Sequence, residues 1–308
     1  MISMNEYLAK LPTEQVNDQS IALDTLNGEQ IARLMNQQDA QVTLAVEKAL
    51  PVIGKAIDEI ALRFAKGGRL FYIGAGTSGR LGVLDASECP PTFGVPSSMV
   101  QGIIAGGDRA LRYSVEGAED SQTQGKQDLV CRELNTTDTV VSISASGYAP
   151  YCCAALDYAR SIGVLAIALS CNEHTELSVH ADLAIEAPTG AEVLMGSTRL
   201  KAGTATKMIL NMLSTGVMVR TGRVYRNLMV DLSVSNKKLT DRATRIVCHA
   251  TGVGPEQARK LLEKTEGSVK AAIVMKMTDV SARRAQAALC EAEGWVSVAI
   301  EKLRNAVS

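Results

Sequence analysis

Apolar residues follow two different spacings along this chain. Up to about residue 66 they recur every three or four positions with charged residues between them, which predicts an amphipathic helical arm. A break at Lys66-Gly67-Gly68 ends that pattern. From Arg69 onward, short apolar runs alternate with stretches of helical periodicity. Such alternation is typical of βαβ units, so we predict an α/β domain around a mainly parallel sheet.

Five apolar runs have the length of buried strands, and helical stretches lie between them. The predicted strands are Arg69–Gly74, Met99–Ala105, Thr139–Ser144, Val164–Leu169 and Ala181–Glu186. The predicted helices are Gly79–Ala86, Ala110–Glu133 and Pro150–Ser161, followed by a long helical stretch over residues 192 to about 221. Ligands of such sheets bind beyond the carboxyl ends of the strands, so a site is expected in the turns that follow them.

A weak internal repeat marks the end of the chain. The pattern Ala-x3-Leu-x3-Glu-Gly-x-Val-x2-Ala-Ile begins at Ala258 and again at Ala285, an offset of 27 residues (285 − 258). Each copy predicts a helical hairpin whose role is packing or support of a dimer. We therefore predict three parts: the helical arm over 1–66, packed on the main domain, the sheet domain over 67–250, and a small helical module over 251–308.

The stretch GAGTSGR at residues 74–80 lies between the first predicted strand and its helix. A glycine-rich turn in this place directs backbone N–H groups and the positive helix end at an anion. Gly76, Thr77 and Ser78 are the candidate ligands. The Gly-Lys-Ser/Thr of a Walker loop is absent, and the G-x-G-x-x-G spacing alone is weak evidence for a dinucleotide. A compact phosphate monoester fits best, with a dinucleotide site and a purely structural turn as alternatives.

A second candidate phosphate loop follows the third predicted strand. Ser144, Ser146 and Gly147 lie where that strand ends, and their polar groups can converge on phosphoryl oxygens. Ser142 still lies within the strand and is expected to be a core hydroxyl. Farther along, Ser197 and Lys207 flank the start of the long helix, a further anion-binding feature or simply a capped helix with solvated charges.

Carboxylates supply the possible acid and base. Glu88 precedes Pro90-Pro91, which is expected to end its helix there. Because a helix C-terminus disfavours negative charge, this position would raise the pKa, as a general acid near neutral pH requires. Glu119 belongs to a second acidic cluster, predicted on the helix after the second strand. The two carboxylates could act on opposite faces of one sugar, although solvated acids are the alternative.

Composition narrows the class of protein. The 308 residues carry a formal net charge of −1, which gives no support for nucleic-acid or membrane binding. No apolar run is long enough to span a bilayer, and the first 30 residues lack a signal-peptide core. The seven cysteines show no disulfide framework, so reduced cytosolic thiols are expected. His174 and His180 are expected to be surface histidines and not metal ligands.

At this point the motifs resemble the sugar isomerase (SIS) domain family and, more closely, the N-acetylmuramic acid 6-phosphate etherase family. The segments that carry the resemblance are 74–94, 102–107, 115–120, 196–207, 211–216 and 227–231. The segment 196–207 is also similar to a signature shared with the glucokinase regulatory protein. The resemblance runs from about Leu11 into the C-terminal module and so covers nearly the whole chain.

This resemblance implies an SIS-type three-layer sandwich around about five strands, with a UBA-like C-terminal module. It implies a cytoplasmic lyase without cofactor or metal, and a homodimer whose site the second subunit completes. The implied reaction cleaves the lactyl ether of N-acetylmuramic acid 6-phosphate, giving N-acetylglucosamine 6-phosphate and D-lactate, as in amino-sugar catabolism and peptidoglycan recycling. By resemblance Glu88 protonates the departing lactate, Glu119 is the second acid/base residue, and Glu192 is a further substrate-binding residue.

The chain departs from the family pattern at three places. Val16-Asn17-Asp18 stands for Arg-Asn-Pro, and Gly190-Ala-Glu192 stands for Gly-Pro-Glu. In the second loop, Ser142-Ile-Ser144-Ala-Ser-Gly-Tyr148-Ala-Pro150 stands for Gly-Ile-Ala-Ala-Ser-Gly-Arg-Thr-Pro, and the change to Tyr148 removes a cation near the expected substrate. An isomerase of the same fold and a non-enzymatic sugar-phosphate sensor are the alternatives. The intact surroundings of Glu88 and Glu119 favour the etherase, and the arm shows no basic recognition helix of a DNA-binding regulator.

Overall fold

A computed structural model describes residues 8–232 and 237–306 of the protein. The chain divides into two compact units. The first contains the chain up to Ser87 together with Ser97–Thr215, and the second contains Glu88–Pro96 together with the chain from Gly216 onward. Neither unit is therefore one continuous segment. The division into three parts that the sequence suggests stays a prediction.

The first unit is built on a five-stranded parallel sheet with the order β2-β1-β3-β4-β5. The strands are β1 (Leu70–Gly74), β2 (Val100–Ile104), β3 (Thr139–Ile143), β4 (Leu165–Ser170) and β5 (Leu183–Glu186). All five residues of β1 and of β3, and all six of β4, are buried. Strands buried on both faces read as continuous apolar runs, which is why these three were predictable from the sequence.

Helices cover both faces of this sheet and complete the predicted three-layer α/β fold. Among the residues described, this unit contains α1 (Gly28–Asp39), α2 (Val42–Phe64), α3 (Gly76–Phe93, which continues into the second unit), α4 (Arg109–Arg112), α5 (Gln122–Val130), α6 (Pro150–Ser161), α7 (Glu176–Val179) and most of α8 (Lys201–Arg220). On one face, Phe71 and Val140 pack with Leu156 of α6. On the other, Gly82 of α3 lies so close to Tyr72 that a methyl group there would come within 2.9 Å of its Cβ.

The helical arm differs from its prediction between residues 9 and 27. There the chain forms three short 3-10 turns, at Pro12–Glu14, Asp18–Ser20 and Leu23–Thr25, before α1 begins. Asn27 starts α1 with a capping box, since its side chain accepts from Gln30 N–H and the Gln30 side chain accepts in return.

The prediction that Pro90-Pro91 ends a helix near Glu88 was wrong. Helix α3 continues through both prolines to Phe93, and Glu88 lies inside it. Prolines remove N–H donors, but here they do so only in the last turn of the helix. The helix ends at Gly94, which takes φ +62° and donates its N–H to the Pro90 carbonyl at 2.9 Å. Glu88 therefore does not lie at a helix C-terminus, as the prediction required.

Two other helix predictions also needed correction. The single helix expected over Ala110–Glu133 is broken into α4, a 3-10 turn at Ala118–Asp120, and α5. Gly117, at φ +71°, turns the chain out of helical geometry between them. The helix expected from residue 192 begins only at Lys201, so Ser197 lies in a turn before α8 and not in the helix.

The second unit confirms the internal repeat. It contains a small hairpin of β6 (Val224–Tyr225) and β7 (Leu228–Met229), then α9 (Lys237–Thr251), α10 (Pro255–Lys264), α11 (Val269–Thr278), α12 (Ala282–Glu291) and α13 (Val296–Asn305). The helices α12 and α13 begin and end 27 residues after α10 and α11, at the offset of the sequence repeat (282 − 255 and 296 − 269). Each hairpin turns through a Glu-Gly pair with φ near 52° and 83°.

None of the helices in the described part of the chain combines the length and the apolar character needed to cross a membrane. All seven cysteines are free thiols, and four of them are buried.

Candidate active site

Two glycines of the turn between β1 and α3, Gly74 and Gly79, leave no space for a side chain. A methyl group on Gly79 would lie 2.5 Å from the carbonyl oxygen of Gly74 and 2.7 Å from a side-chain carbon of Ile104. Gly76 begins the helix at φ +54° and is exposed. Ser78 is only 8% exposed. The turn thus presents the first N–H groups of an 18-residue helix at the carboxyl end of the sheet, where anions are stabilised.

The loop after β3 starts directly beside this turn. Strands β1 and β3 are neighbours, with Gly74 paired to Ile143. In the loop, the hydroxyl oxygens of Ser144 and Ser146 lie 3.4 Å apart. Ser144 Oγ also accepts from Ala149 N–H at 3.4 Å. These contacts are long, so both hydroxyls can turn toward a ligand with little loss.

Ser146 Oγ also accepts the N–H of Tyr148, at 3.3 Å. Gly147 is held more firmly, by close packing. Gly147 has φ +74°, and a methyl group there would lie 2.3 Å from Thr175 Cβ. The prediction for Ser142 is confirmed, since it is fully buried in β3 and donates to the Cys152 carbonyl at 3.1 Å.

A buried asparagine, which sequence reasoning missed, ties this loop to the start of the chain. Asn172 lies in the turn after β4, and its Nδ2 donates to the Ser146 carbonyl at 3.2 Å and to Thr13 Oγ1 at 2.9 Å. Its Oδ1 accepts the N–H of Thr13 at 3.3 Å. Thr13 and Asn172 are both fully buried. The signal available from the sequence was only the position of Asn172 after a strand.

A pocket of about 250 Å³ opens beside the glycine-rich turn. It is lined by Ala75, Gly76, Arg80, Ala105, Ala110 and residues 114–119. Glu119 lies on its wall. The pKa of Glu119 is raised, first by its partial removal from water and then by the negative charges of Asp120 and Glu116. A carboxyl group with a raised pKa keeps more of its acid form toward neutral pH, which suits proton transfer.

Arg80 is a second pocket residue that sequence reasoning did not single out. It is half-buried on the first turns of α3, and its Nε donates to the Leu111 carbonyl at 3.2 Å. The motif at residues 74–80 contained it, but only the structure shows that it lines the same pocket as Glu119.

A buried carboxylate on α3, that of Asp85, was also missed. Asp85 is 7% exposed, and its Oδ1 accepts from Asn211 Nδ2 at 2.7 Å and from Ser214 Oγ at 3.2 Å. Burial raises the pKa of Asp85, although these bonds, one from Tyr72 and the charge of Lys207 partly offset that rise. Lys207 itself is exposed on α8. These contacts fix α3, and with it the glycine-rich turn, to α8.

The buried side chain of Glu192 caps α8. Its two carboxylate oxygens accept the backbone N–H groups of Lys201 and Ala202, both at 3.0 Å. Burial nevertheless raises the pKa of Glu192, with the two backbone bonds acting in the opposite direction. Both oxygens therefore already have donors at a helix N-terminus. Ser197, in the intervening turn, donates its N–H to the Leu194 carbonyl at 3.0 Å.

The predicted site residues thus fall into two sets. In the first unit, Gly76 and Glu119 line one pocket, Thr77 and Ser78 belong to the same turn, and the serine loop begins beside it. Glu88 belongs to the second unit, where its side chain is exposed. Within residues 8–232 and 237–306, His, Cys, Asp and Glu side chains form no group of three or more that could hold a metal ion.

Known protein families and individual relatives match most of the chain. Residues 52–160 match the N-terminal SIS domain of glucokinase regulatory protein, residues 115–216 match the SIS domain family, and residues 226–266 match the C-terminal lid domain of glucokinase regulatory protein. The chain is similar to proteins named N-acetylmuramic acid 6-phosphate etherase. It is 51% identical to that of Oenococcus oeni over 95% of this chain and 99% of the relative. It is 48% identical to that of Clostridium beijerinckii over 99% of this chain and 100% of the relative.

Proposed function

Since the chain belongs to the N-acetylmuramic acid 6-phosphate etherase family, we propose that it is a lyase acting on that sugar phosphate. It cleaves the D-lactyl ether by elimination and addition of water, giving N-acetylglucosamine 6-phosphate and D-lactate. The observation that carries this proposal within the structure is the pocket that Glu119 shares with Gly76 of the glycine-rich turn. An acid/base group beside a phosphate-binding turn is what this chemistry requires.

The reaction makes two demands on the protein. In the open-chain sugar, the proton on C2 is acidic because it is α to the C1 aldehyde, so a base can remove it. The lactyl oxygen then leaves C3, and water adds to the resulting double bond at the same carbon. An alkoxide is a poor leaving group, so a positioned acid that protonates the lactate oxygen lowers the barrier most.

The phosphate is proposed to bind at the two adjacent loops. The proposed ligands in these loops are Gly76, Thr77, Ser78, Ser144, Ser146 and Gly147. Backbone N–H groups at the start of α3 and the loosely bonded serine hydroxyls support this assignment. Ser197 and Lys207 are proposed as further substrate contacts. Glu192 is proposed to act there too, by holding the start of α8 through its bonds to Lys201 and Ala202.

The two glutamates are proposed as the acid/base pair. Glu88 protonates the departing lactate, and Glu119 acts as the second group, on water. The raised pKa of Glu119 supports a role in proton transfer. We further propose a cytoplasmic homodimer in which the second subunit completes the site, with no cofactor or metal.

The test is release of D-lactate from N-acetylmuramic acid 6-phosphate by the purified protein in the presence of EDTA. Glu88→Gln and Glu119→Gln should each lower kcat by about 100-fold or more, the usual scale of a lost acid or base. Their affinity for N-acetylglucosamine 6-phosphate should stay unchanged, because the phosphate loops are intact. The control is Glu47→Gln, an exposed change on α2. Binding without lactate release by the wild type would indicate a sensor, and conversion to a ketose would indicate an isomerase.

A further inference from the structure

The proposed substrate carries two anionic groups, the 6-phosphate and the carboxylate of the lactyl arm. The two loops described above account for the phosphate alone, and Lys207, proposed above as a further substrate contact, does not line the pocket that holds Glu119. A carboxylate that enters a pocket without a partner loses its hydration at a large cost in free energy. The site of an etherase acting on this substrate therefore requires a second cationic or strongly donating group, at some distance from the phosphate loops.

Arg80 has the position of such a group. It lies four residues after Gly76 (80 − 76), and both residues line the pocket whose wall also carries Glu119. Among the described residues that line this pocket, Arg80 is the one cation. One side of the pocket thus belongs to the glycine-rich turn, while Arg80 and Glu119 line the same space of about 250 Å³.

The bonding of Arg80 leaves its guanidinium available to a ligand. Nε donates to the carbonyl oxygen of Leu111 at 3.2 Å, which orients the guanidinium plane. In the described part of the chain no carboxylate forms an ion pair with Arg80, and the nearby Glu116 instead accepts a hydrogen bond from Ser114. The fork formed by the remaining N–H groups matches the two oxygens of a carboxylate.

The acids of the pocket wall do not offer an anion a partner. Partial removal from water raises the pKa of Glu119 most, and the negative charges of Asp120 and Glu116 raise it further. These carboxylates repel an anionic ligand, so Arg80, the one cation among the described lining residues, is the group able to hold it.

We propose that Arg80 binds the carboxylate of the lactyl arm by a two-point ion pair, and that it selects the ether substrate over sugar phosphates that lack this arm. This inference rests on the proposed function for the identity of the substrate. The carboxylate is charged before, during and after cleavage of the ether bond, so Arg80 contributes mainly to binding. Its loss should raise KM more than it lowers kcat.

The experiment compares N-acetylmuramic acid 6-phosphate with its lactyl methyl ester, which differs by one negative charge. The wild type should prefer the acid by about 10- to 100-fold in kcat/KM, the scale of a charge-assisted pair. In Arg80→Gln this preference should fall to near one, while kcat/KM for the ester changes less than about twofold. Arg112→Gln is the matched control, because it removes an exposed arginine of α4 that does not line the pocket. Arg112→Gln should keep the wild-type preference for the acid over the ester.

Calorimetry in a Glu88→Gln background, in which cleavage is expected to be slow, gives the same comparison with little turnover. With Arg80 intact this protein should bind N-acetylmuramic acid 6-phosphate more tightly than N-acetylglucosamine 6-phosphate, and addition of Arg80→Gln should remove that advantage while the affinity for the second sugar stays the same. Arg80→Lys keeps the charge but not the fork, and should show an intermediate advantage even if Arg80→Gln folds poorly.

The outcomes separate the two proposals. An advantage that persists in Arg80→Gln and Arg80→Lys, or that is absent from the wild type, would overturn the assignment of Arg80 even where lactate is released. An advantage that depends on Arg80 in a protein that releases no lactate would support the carboxylate subsite and reject the etherase reaction.

Discussion

The two loops proposed to hold the phosphate occupy equivalent places in the fold but are built in different ways. Both follow neighbouring strands at the carboxyl edge of the sheet. The loop after β1 is shaped by close backbone packing at Gly74 and Gly79. The loop after β3 has one close-packed position, Gly147, and is otherwise held by hydrogen bonds of Ser144, Ser146 and Asn172.

This difference predicts different responses to substitution. Backbone atoms of a strand and a helix cannot move aside, so added volume in the first loop is met by strain. Hydrogen bonds in the second loop can be lost singly, and each loss costs only the net value of one bond or of one unpaired partner. Substitution of the packed glycines Gly74 and Gly79 in the first loop should therefore have large effects on folding, whereas substitution of the hydrogen-bonding residues of the second loop should have graded effects on folding and binding.

The largest effect is expected for Gly79→Ala. The new methyl group would lie 2.5 Å from Gly74 O and 2.7 Å from Ile104, so the free energy of unfolding should fall by about 3 kcal/mol or more. Urea unfolding measures this. Gly54→Ala is the control, because nothing lies within 4 Å of that position in α2, and it should stabilise the protein by up to about 1 kcal/mol. Equal, small effects of both changes would contradict the proposed rigidity of the first loop.

Asn172→Ala should have the next largest effect. It removes three hydrogen bonds and leaves Thr13 and the Ser146 carbonyl buried without these partners, so the free energy of unfolding should fall by about 2–3 kcal/mol. A double-mutant cycle with Thr13→Val isolates the tie to the start of the chain. Strict additivity of the two changes would show that this tie contributes nothing.

Ser144→Ala should affect binding more than folding. Its contacts to Ser146 and Ala149 are both 3.4 Å long, so the free energy of unfolding should change by less than about 1 kcal/mol. Affinity for N-acetylglucosamine 6-phosphate should fall about tenfold by calorimetry, as expected for a hydrogen bond to a charged group. Ser142→Ala, two residues earlier in β3, should lower stability but leave affinity unchanged. The opposite pattern would move the phosphate away from Ser144.

The smallest effect concerns the support beneath the first loop. Because the pKa of Asp85 is raised in the folded protein above its ordinary value of 3.8, the folded state holds this proton more tightly than the unfolded state. The contribution of Asp85 to stability should therefore decrease as pH rises above 3.8 and become constant above its folded pKa. The free energy of unfolding, measured at several pH values, should decrease less steeply with rising pH in Asp85→Asn than in the wild type. An identical pH dependence in both proteins would contradict the shifted pKa.

The sheet and the terminal repeat were predictable from sequence because their signals are local and regular. Buried parallel strands are continuous apolar runs, and the hairpin repeat returns at a fixed offset. The end of α3 was not predictable, because helix geometry tolerates Pro90 and Pro91 in a last turn that Gly94 then terminates. At the site, the glycine and serine loops follow from spacing. The roles of Arg80, Asp85 and Asn172 do not follow from spacing, because each side chain contacts residues that lie 31 to 159 positions away in the sequence.

The split composition of the second unit has a consequence for synthesis on the ribosome. Glu88–Pro96 is made before the 119 residues of Ser97–Thr215 (215 − 97 + 1), whereas the rest of the unit follows them. At about 5–20 residues per second, that early segment waits about 6–24 s for its partners. A fragment that starts at Gly216 would lack Phe93 and Val95, which are buried in the folded chain, and the backbone of Gly94 that packs against Asp231. The helical unit is thus completed last in translation but depends on a segment translated early, so it cannot be separated from the chain by a single cut.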